Sequence, residues 1–275
     1  MEITTFNAEW PTRLLDPSGR RMAKPRTRGY TMVIDKGLGL HAFTDLLNTA
    51  GDYIDIVKFG FGTSTLYPPA LMREKIELAR KHGIVVMPGG TLLEAAVKQD
   101  LVPAFFRQVL TLGFNGIEVS DGTIVLSRRD RDDLIRDGVS LGLKVYTEYG
   151  KKLFGSRIDV EEFTRTAEQD WACGADLVTV EARESGVGVG LFDEHGNCRE
   201  SELQFMASAV PQLERVMWEA PQKDQQVSLI KSLGSDVNLG NISVQDVIAL
   251  ETMRRGLRSD TFHLQSATFV ADYVI

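Results

Sequence analysis

The 275 residues carry 31 Lys and Arg against 38 Asp and Glu, a formal net charge of −7. A pI near 5.3 excludes a general nucleic-acid binder, which would carry a basic stripe. With 43% hydrophobic and 25% charged residues the chain has the composition of a folded globular protein, which excludes disordered and fibrous classes.

The first 28 residues are polar, contain Pro11, Pro17, Gly19 and Pro25, and cluster Arg20, Arg21, Lys24, Arg26 and Arg28. They read as an arm (1–28) ahead of one domain (29–275) that ends in a short apolar tail. From Tyr30 onward short β-rich runs alternate with helical patterns. Strands are expected at Thr31–Lys36, Tyr53–Phe59, Ile84–Pro88, Gly116–Ser120, Lys144–Tyr149, Leu177–Glu181, Arg215–Glu219 and Asp236–Gly240. The polar or turn residues at their ends, Lys36, Lys58, Pro88, Glu118, Glu148, Glu181, Glu219 and Asn241, recur at steps of 22, 30, 30, 30, 33, 38 and 22 residues, the pitch of repeated βα units. Helices are expected at Pro69–His82, Ser127–Leu141, Asp159–Cys173 and Ser243–Gly256, each with start or stop residues in place. Eight units in unbroken alternation predict a single α/β (β/α)8 TIM barrel; the alternative is a doubly wound open sheet.

Cys173 and Cys198 form no C-x-x-C pair and are expected to be reduced. The N-terminus lacks a signal-peptide core, and no segment has the ~20 apolar residues of a membrane span. A cytoplasmic protein is expected.

In a barrel of this kind chemistry sits at the C-terminal strand ends. Those ends carry Lys36, Lys58, Glu118, Ser120, Asp121, Glu148, Lys151, Glu181, Arg183, Glu184, Glu219 and Asn241. Carboxylates grouped at one mouth suit a hard divalent cation such as Mg2+, and grouped Lys and Arg suit phosphate or carboxylate. Each could instead be a cap or a surface pair. Gly240-Asn241 leads into Ser243, where a helix N-terminus would offer amides to phosphate, or only a tight turn. Gly186-Val-Gly-Val-Gly190 is not a nucleotide fingerprint; it reads as a mobile lid or a plain flexible loop. The four histidines are scattered, and no nucleophile elbow or zinc spacing is present.

The strings KPRTRGYTMVIDKGLGL (24–40), GDYIDIVKFGFGTS (51–64), PGGTLLEAA (88–96), LGFNGIEVSDGTI (112–124), EYGKK (148–152), EARESGVGVGLFD (181–193), WEAPQKDQQ (218–226), LGNIS (239–243) and ETMRRGLRSDT (251–261) together resemble the phosphosulfolactate synthase family. The resemblance runs in order from about residue 24 to 261. It departs at Phe61, where Trp is expected, and at Tyr149, where Val is expected. It implies a (β/α)8 homo-oligomer that adds sulfite to C3 of phosphoenolpyruvate with Mg2+, giving (2R)-2-phospho-3-sulfolactate for coenzyme M or sulfolactate production. Within that chemistry Lys151 is expected to protonate C2, with Lys58 or Lys36 as substitutes. Glu118 and Glu148, then Glu181 and Asp121, are expected to hold Mg2+; Gly240, Asn241, Arg183 and Arg26 are expected to bind phosphate. Two other readings stand beside it. One is a barrel enzyme acting on another phosphorylated carboxylate or sugar, such as a Schiff-base aldolase. The other is a non-catalytic barrel, since a plant heat-stress-associated protein is similar to the same family.

Overall fold

The structure is a computed structural model that describes residues 10–265. Its strands are β1 (Thr31–Asp35), β2 (Ile56–Phe59), β3 (Val85–Pro88), β4 (Gly116–Val119), β5 (Lys144–Tyr149), β6 (Leu177–Val180), β7 (Val216–Glu219) and β8 (Asn238–Ser243). Its helices are α1 (Thr12–Leu15), α2 (Leu40–Ala50), α3 (Pro69–Lys81), α4 (Gly90–Lys98), α5 (Val102–Leu112), α6 (Arg128–Ser140), α7 (Val160–Cys173), α8 (Glu200–Ala209), α9 (Lys223–Leu233) and α10 (Val247–Arg254). All ladders are parallel, in the order β3-β2-β1-β8-β7-β6-β5-β4. The two end strands, β3 and β4, lie side by side and complete a (β/α)8 barrel. Across that junction the Asn115 amide donates to Val86 O (3.3 Å), and Val86 N donates to Asn115 Oδ1 (2.7 Å).

Strand alternation sorts the residues into two cores. Val33, Val57, Val86, Ile117, Val145, Val178, Val216 and Leu239 face outward into the large apolar layer under the helices. Met32, Ile56, Met87, Tyr146, Leu177 and Met217 face inward and fill the barrel. Two residues beyond Ile56, Tyr146 and Met217 the inward positions become Lys58, Glu148 and Glu219, so the interior changes from apolar to ionisable over one layer. Gly240 belongs to the apolar layer: a Cβ there would lie 2.7 Å from Met32 Cε.

Ser127 Oγ and Asp159 Oδ1 accept amides of Asp130 (3.1 Å) and Glu162 (3.0 Å), capping α6 and α7 as the sequence predicts. The last helix differs from expectation. β8 runs on to Ser243, a turn closes from Asp246 N to Ser243 O (2.9 Å), and α10 starts only at Val247. Ser243 is therefore a strand end and not a helix cap.

The glycine-rich segment after β6 is folded. Val189, Leu191 and Phe192 are buried, Gly190 N donates to Ser156 O (3.1 Å) and Gly155 N to Gly188 O (2.7 Å). Gly186, Gly188 and Gly190 have φ of 64°, 69° and 61°, which explains the glycines. Gln225 of α9 holds the segment from below, with Nε2 2.6 Å from Gly186 O and 3.1 Å from Gly196 O. Gln225→Ala leaves both carbonyls short of a donor in a buried setting. It is expected to cost about 1–3 kcal/mol, read as a lowered urea midpoint at unchanged slope.

Both cysteines are free and half-buried. Among the described residues no helix is long and apolar enough to cross a membrane. Of the apolar tail, Leu264 packs against the core while Phe262 is exposed; Phe269, Val270, Tyr273, Val274 and Ile275 lie outside the described residues.

Candidate active site

A cavity of about 500 Å³ opens at the C-terminal end of the barrel. Its floor is the ionisable layer. Lys58 Nζ lies 3.1 Å from Glu118 Oε1, 3.0 Å from Glu219 Oε1 and 4.0 Å from Glu148 Oε2. Lys152 Nζ lies 3.0 Å from Glu148 Oε1 and 3.5 Å from Glu181 Oε2. The backbone fixes the other carboxylate oxygens: Gly90 N donates to Glu118 Oε2 (2.8 Å), Ala182 N to Glu219 Oε2 (3.0 Å), and Arg183 N to Glu181 Oε1. Four buried carboxylates thus face two ammonium groups.

The electrostatics separate the carboxylates. Burial alone would raise Glu148, but Lys152, its bond with Glu181 and Lys58 outweigh it and bring the group down to about 2. Glu181 goes the other way. Burial raises it well above its ordinary value, and the charges of Glu148 and Glu219 add to that shift. Glu118 is raised by burial, against the pull of Lys58. Lys58 and Lys152 are raised despite burial, because carboxylates surround them.

Oxygens of Glu148, Glu181 and Glu219 lie within 4.8 Å of one another. Glu148 Oε1 and Glu181 Oε2 are buried without a well-aligned hydrogen bond, and the Lys152 ammonium lies 3.0 and 3.5 Å from them. This all-oxygen donor set fits a hard divalent cation. The linkage has a definite sign. A carboxylate raised in the folded state destabilises the fold as pH climbs above its unfolded value of 4.5. In chelator-treated protein Glu181→Gln is therefore expected to melt above wild type at pH 8, and the gap should close toward pH 4.5. Glu148 acts oppositely: its stabilisation is fully present above about 4.5 and is lost as pH falls toward about 2. A gap independent of pH would remove the assignment of the proton to Glu181.

The rim is strained. Among the described residues four non-glycines have positive φ, and three of them line the cavity: Phe61 (57°), Arg183 (62°) and Asn241 (53°). Asn241 Oδ1 is buried without a partner. The Gly89–Gly90 start of α4 also opens here, and Gly90 has no room for a side chain, since a Cβ would lie 2.9 Å from Ser120 Oγ.

The sequence-predicted residues divide accordingly. Lys58, Glu118, Glu148, Glu181, Arg183 and Asn241 come together around the cavity. Lys151 does not. It turns away to Asp121 (3.0 Å to Oδ2), and Asp121 is held by Arg131 (3.2 Å), so both lie outside the cavity lining. Lys36 sits at the exposed rim, paired with Glu184. Gly240 is a layer below. Arg26 is at the other end of the barrel, bonded to Asp55 Oδ2 (3.1 Å) just ahead of β2. Lys152 is the residue that sequence reasoning missed, and Glu219 was counted among the grouped carboxylates but not among the expected Mg2+ ligands. Spacing does hold the signal for Glu219: it lies two residues past an inward Met, as Lys58 lies two past Ile56.

The fold alone is shared with many barrels. The YdjI aldolase of Escherichia coli K12 superposes with a TM-score of 0.54 at 11% identity, over 87% of this chain and 85% of that one. A dihydrodipicolinate synthase of Agrobacterium tumefaciens gives 0.53 at 13% identity, over 91% and 81%. Sequence comparison goes further. The (2R)-phospho-3-sulfolactate synthase (ComA) family pattern matches residues 19–260. The chain belongs to the phosphosulfolactate synthase family. It is 44% identical to the phosphosulfolactate synthase of Methanocaldococcus jannaschii, over 86% of this chain and 94% of that protein. The phosphosulfolactate synthases of Methanothermobacter thermautotrophicus (42%; 88% and 94%) and Bacillus subtilis (40%; 89% and 96%) match similarly. Protein HEAT-STRESS-ASSOCIATED 32 of Arabidopsis thaliana is also similar, at 22% identity over 90% of this chain and 94% of its own length. As a member of the phosphosulfolactate synthase family the chain is an enzyme, a carbon–sulfur lyase.

Proposed function

We propose that this cavity joins sulfite to C3 of phosphoenolpyruvate, giving (2R)-2-phospho-3-sulfolactate, with Mg2+ as cofactor. The observation that carries the reading is the buried Glu148–Glu181–Glu219 triad beside two charged lysines in one cavity. The sulfur lone pair forms the C–S bond at C3. The C2–C3 π electrons move toward the carboxylate, and a proton then closes C2. Mg2+ held by Glu148, Glu181 and Glu219 would supply positive charge where the substrate carboxylate gains electron density.

The protein's own groups do the rest. Lys152 is the cavity lysine with solvent-accessible surface to spare, about a quarter of its side chain, and it holds the proton for C2. Lys58 stays between Glu118 and Glu219, keeps those carboxylates in place and partly neutralises the floor. Arg183, Asn241 and the start of α4 form the anion-binding rim, where phosphate and sulfite must lie side by side. Lys151, Lys36, Asp121, Gly240 and Arg26 take no direct part.

A Schiff-base aldolase is disfavoured. It needs a neutral amine, and carboxylates hold both cavity lysines charged. Phosphorus NMR of the protein with phosphoenolpyruvate and sulfite tests the reading. A new phosphate-ester signal that needs both sulfite and Mg2+ is expected; unchanged phosphoenolpyruvate with folded protein overturns it. A homo-oligomeric, cytoplasmic enzyme completes the proposal, and light scattering checks its mass.

A further inference from the structure

At the end of the barrel opposite the cavity, the chain ahead of β1 crosses the strand starts and brings Arg21, Lys24 and Arg26 beside Arg255. Arg21 Nε lies 3.0 Å from Glu251 Oε2, and Arg255 Nε takes the other oxygen of the same carboxylate at 2.8 Å. Arg26 Nη1 lies 3.1 Å from Asp55 Oδ2, and its Nη2 donates to Asp52 O (2.7 Å). The Lys24 ammonium meets only carbonyls, Gly51 O at 2.7 Å and His82 O at 3.3 Å. Glu251 and Asp55 pair directly with three of these four cations, and the carboxylates of Asp16 and Asp52 lie at the cavity these cations line. Arg254, fully buried beside them, gives its donors to the carbonyls of Ser235, Val237 and Tyr30.

Three of these donors are unused among the described residues: Arg254 Nε, outside the lining of that cavity, and two on side chains that line it. Arg21 Nη2 and Arg26 Nε are buried without an acceptor among the described residues, and both side chains are only 2% exposed. Arg21, Lys24, Arg26 and Arg255 line one cavity of about 410 Å³ with Asp16, Asp52 and Tyr53. The Asp16 carboxylate is already engaged by Ser18 Oγ (2.6 Å) and Arg21 N (3.1 Å). Burial lowers Arg21 and Lys24, and the positive charge of Arg26 pushes both the same way. Buried guanidinium N–H groups left without acceptors are costly.

We propose that this cavity binds a tetrahedral oxyanion, free or carried by a small molecule, through Arg21, Lys24, Arg26 and Arg255. The chain as a whole is anionic, so the attraction is local to this pocket. A bound anion joins two separate pieces, the arm and the C-terminal end of α10. It also lies at the opposite end from the candidate active site, so it does not compete with substrate.

Heat unfolding of the full chain in inorganic phosphate, against chloride at equal ionic strength, tests the proposal. The wild-type midpoint is expected to rise in phosphate, and the rise should survive Arg183→Gln at the catalytic rim. Lys24→Gln and Arg255→Gln should each weaken phosphate about tenfold or more by calorimetry. Glycerol phosphate acting through the same residues would identify a phosphate carried by a small molecule; a response to inorganic phosphate alone would identify the free ion. The proposal fails if wild type shows no rise over chloride, if both variants keep the full rise, or if Arg183→Gln alone abolishes it. Should either variant not fold, the 15N resonance of Arg26 Nε in wild type decides: a shift on adding phosphate supports the site and none overturns it.

Discussion

Lys152→Met is expected to lower kcat by about 10²–10⁴-fold, the range of a lost general acid, and to leave the fold intact. Lys151→Ala is expected to stay close to wild type. The two lysines are neighbours, yet Lys152 Nζ sits 3.0 Å from Glu148 inside the cavity and Lys151 Nζ sits 3.0 Å from Asp121 outside it. The methionine variant also separates a proton donor from a substrate clamp. A donor acts in the chemical step, so kcat falls while the Km for phosphoenolpyruvate moves little; a clamp would raise Km instead. Lys152 and a divalent cation use the same two oxygens, on Glu148 and Glu181. Removing the ammonium should therefore tighten metal binding while activity falls. Full activity in Lys152→Met would end its role as donor.

Glu148→Gln is expected to abolish metal binding by calorimetry and to reduce activity at least about 10³-fold, the scale of a lost electrostatic stabiliser. It should also destabilise the metal-free fold by about 3 kcal/mol, the lower end for a broken buried ion pair, because Lys152 keeps some solvent. The carboxylate of Glu148 faces Lys152 and Lys58 and stays ionised down to about 2, so it balances the lysine charge. Glu181→Gln should also lose the metal but gain stability without it. Loss of metal with opposite changes in stability cannot arise from general unfolding of the site. If both variants shift stability in the same direction, the division of charge between Glu148 and Glu181 is wrong.

The barrel was legible because its period is carried by apolar alternation, which tertiary context rarely overrides at eight successive strands. Lys58, Glu118, Glu148 and Glu181 were legible for the same reason: each sits within one residue of a strand end. Lys151 against Lys152 was not. The intervening Gly150 has φ of 128°, which reverses the side on which the next residues emerge, and no count from the strand predicts that turn. Arg26 was misplaced because a basic arm carries no mark of which barrel end it crosses. Asp55 decides it, and the meaning of Asp55 appears only once β2 is known to start at Ile56. The glycine-rich segment looked loose because its anchors, Ser156 and Gln225, belong to other βα units.

The junction of β3 and β4 sets the mechanical character of the mouth. Seven of the eight strand pairs are laced by backbone ladders, whereas this one is tied at Asn115, by its backbone N–H and its side-chain oxygen, and at Gly90 N to Glu118. The barrel therefore behaves as a split ring with one clasp, and its compliance is concentrated on the side where Gly90 meets Glu118. Amide hydrogens of Val86 and Asn115 should exchange before those of β1 and β8, and Asn115→Ala should widen that difference. The most weakly laced wall of the barrel thus lies next to Glu118, the carboxylate that steadies Lys58.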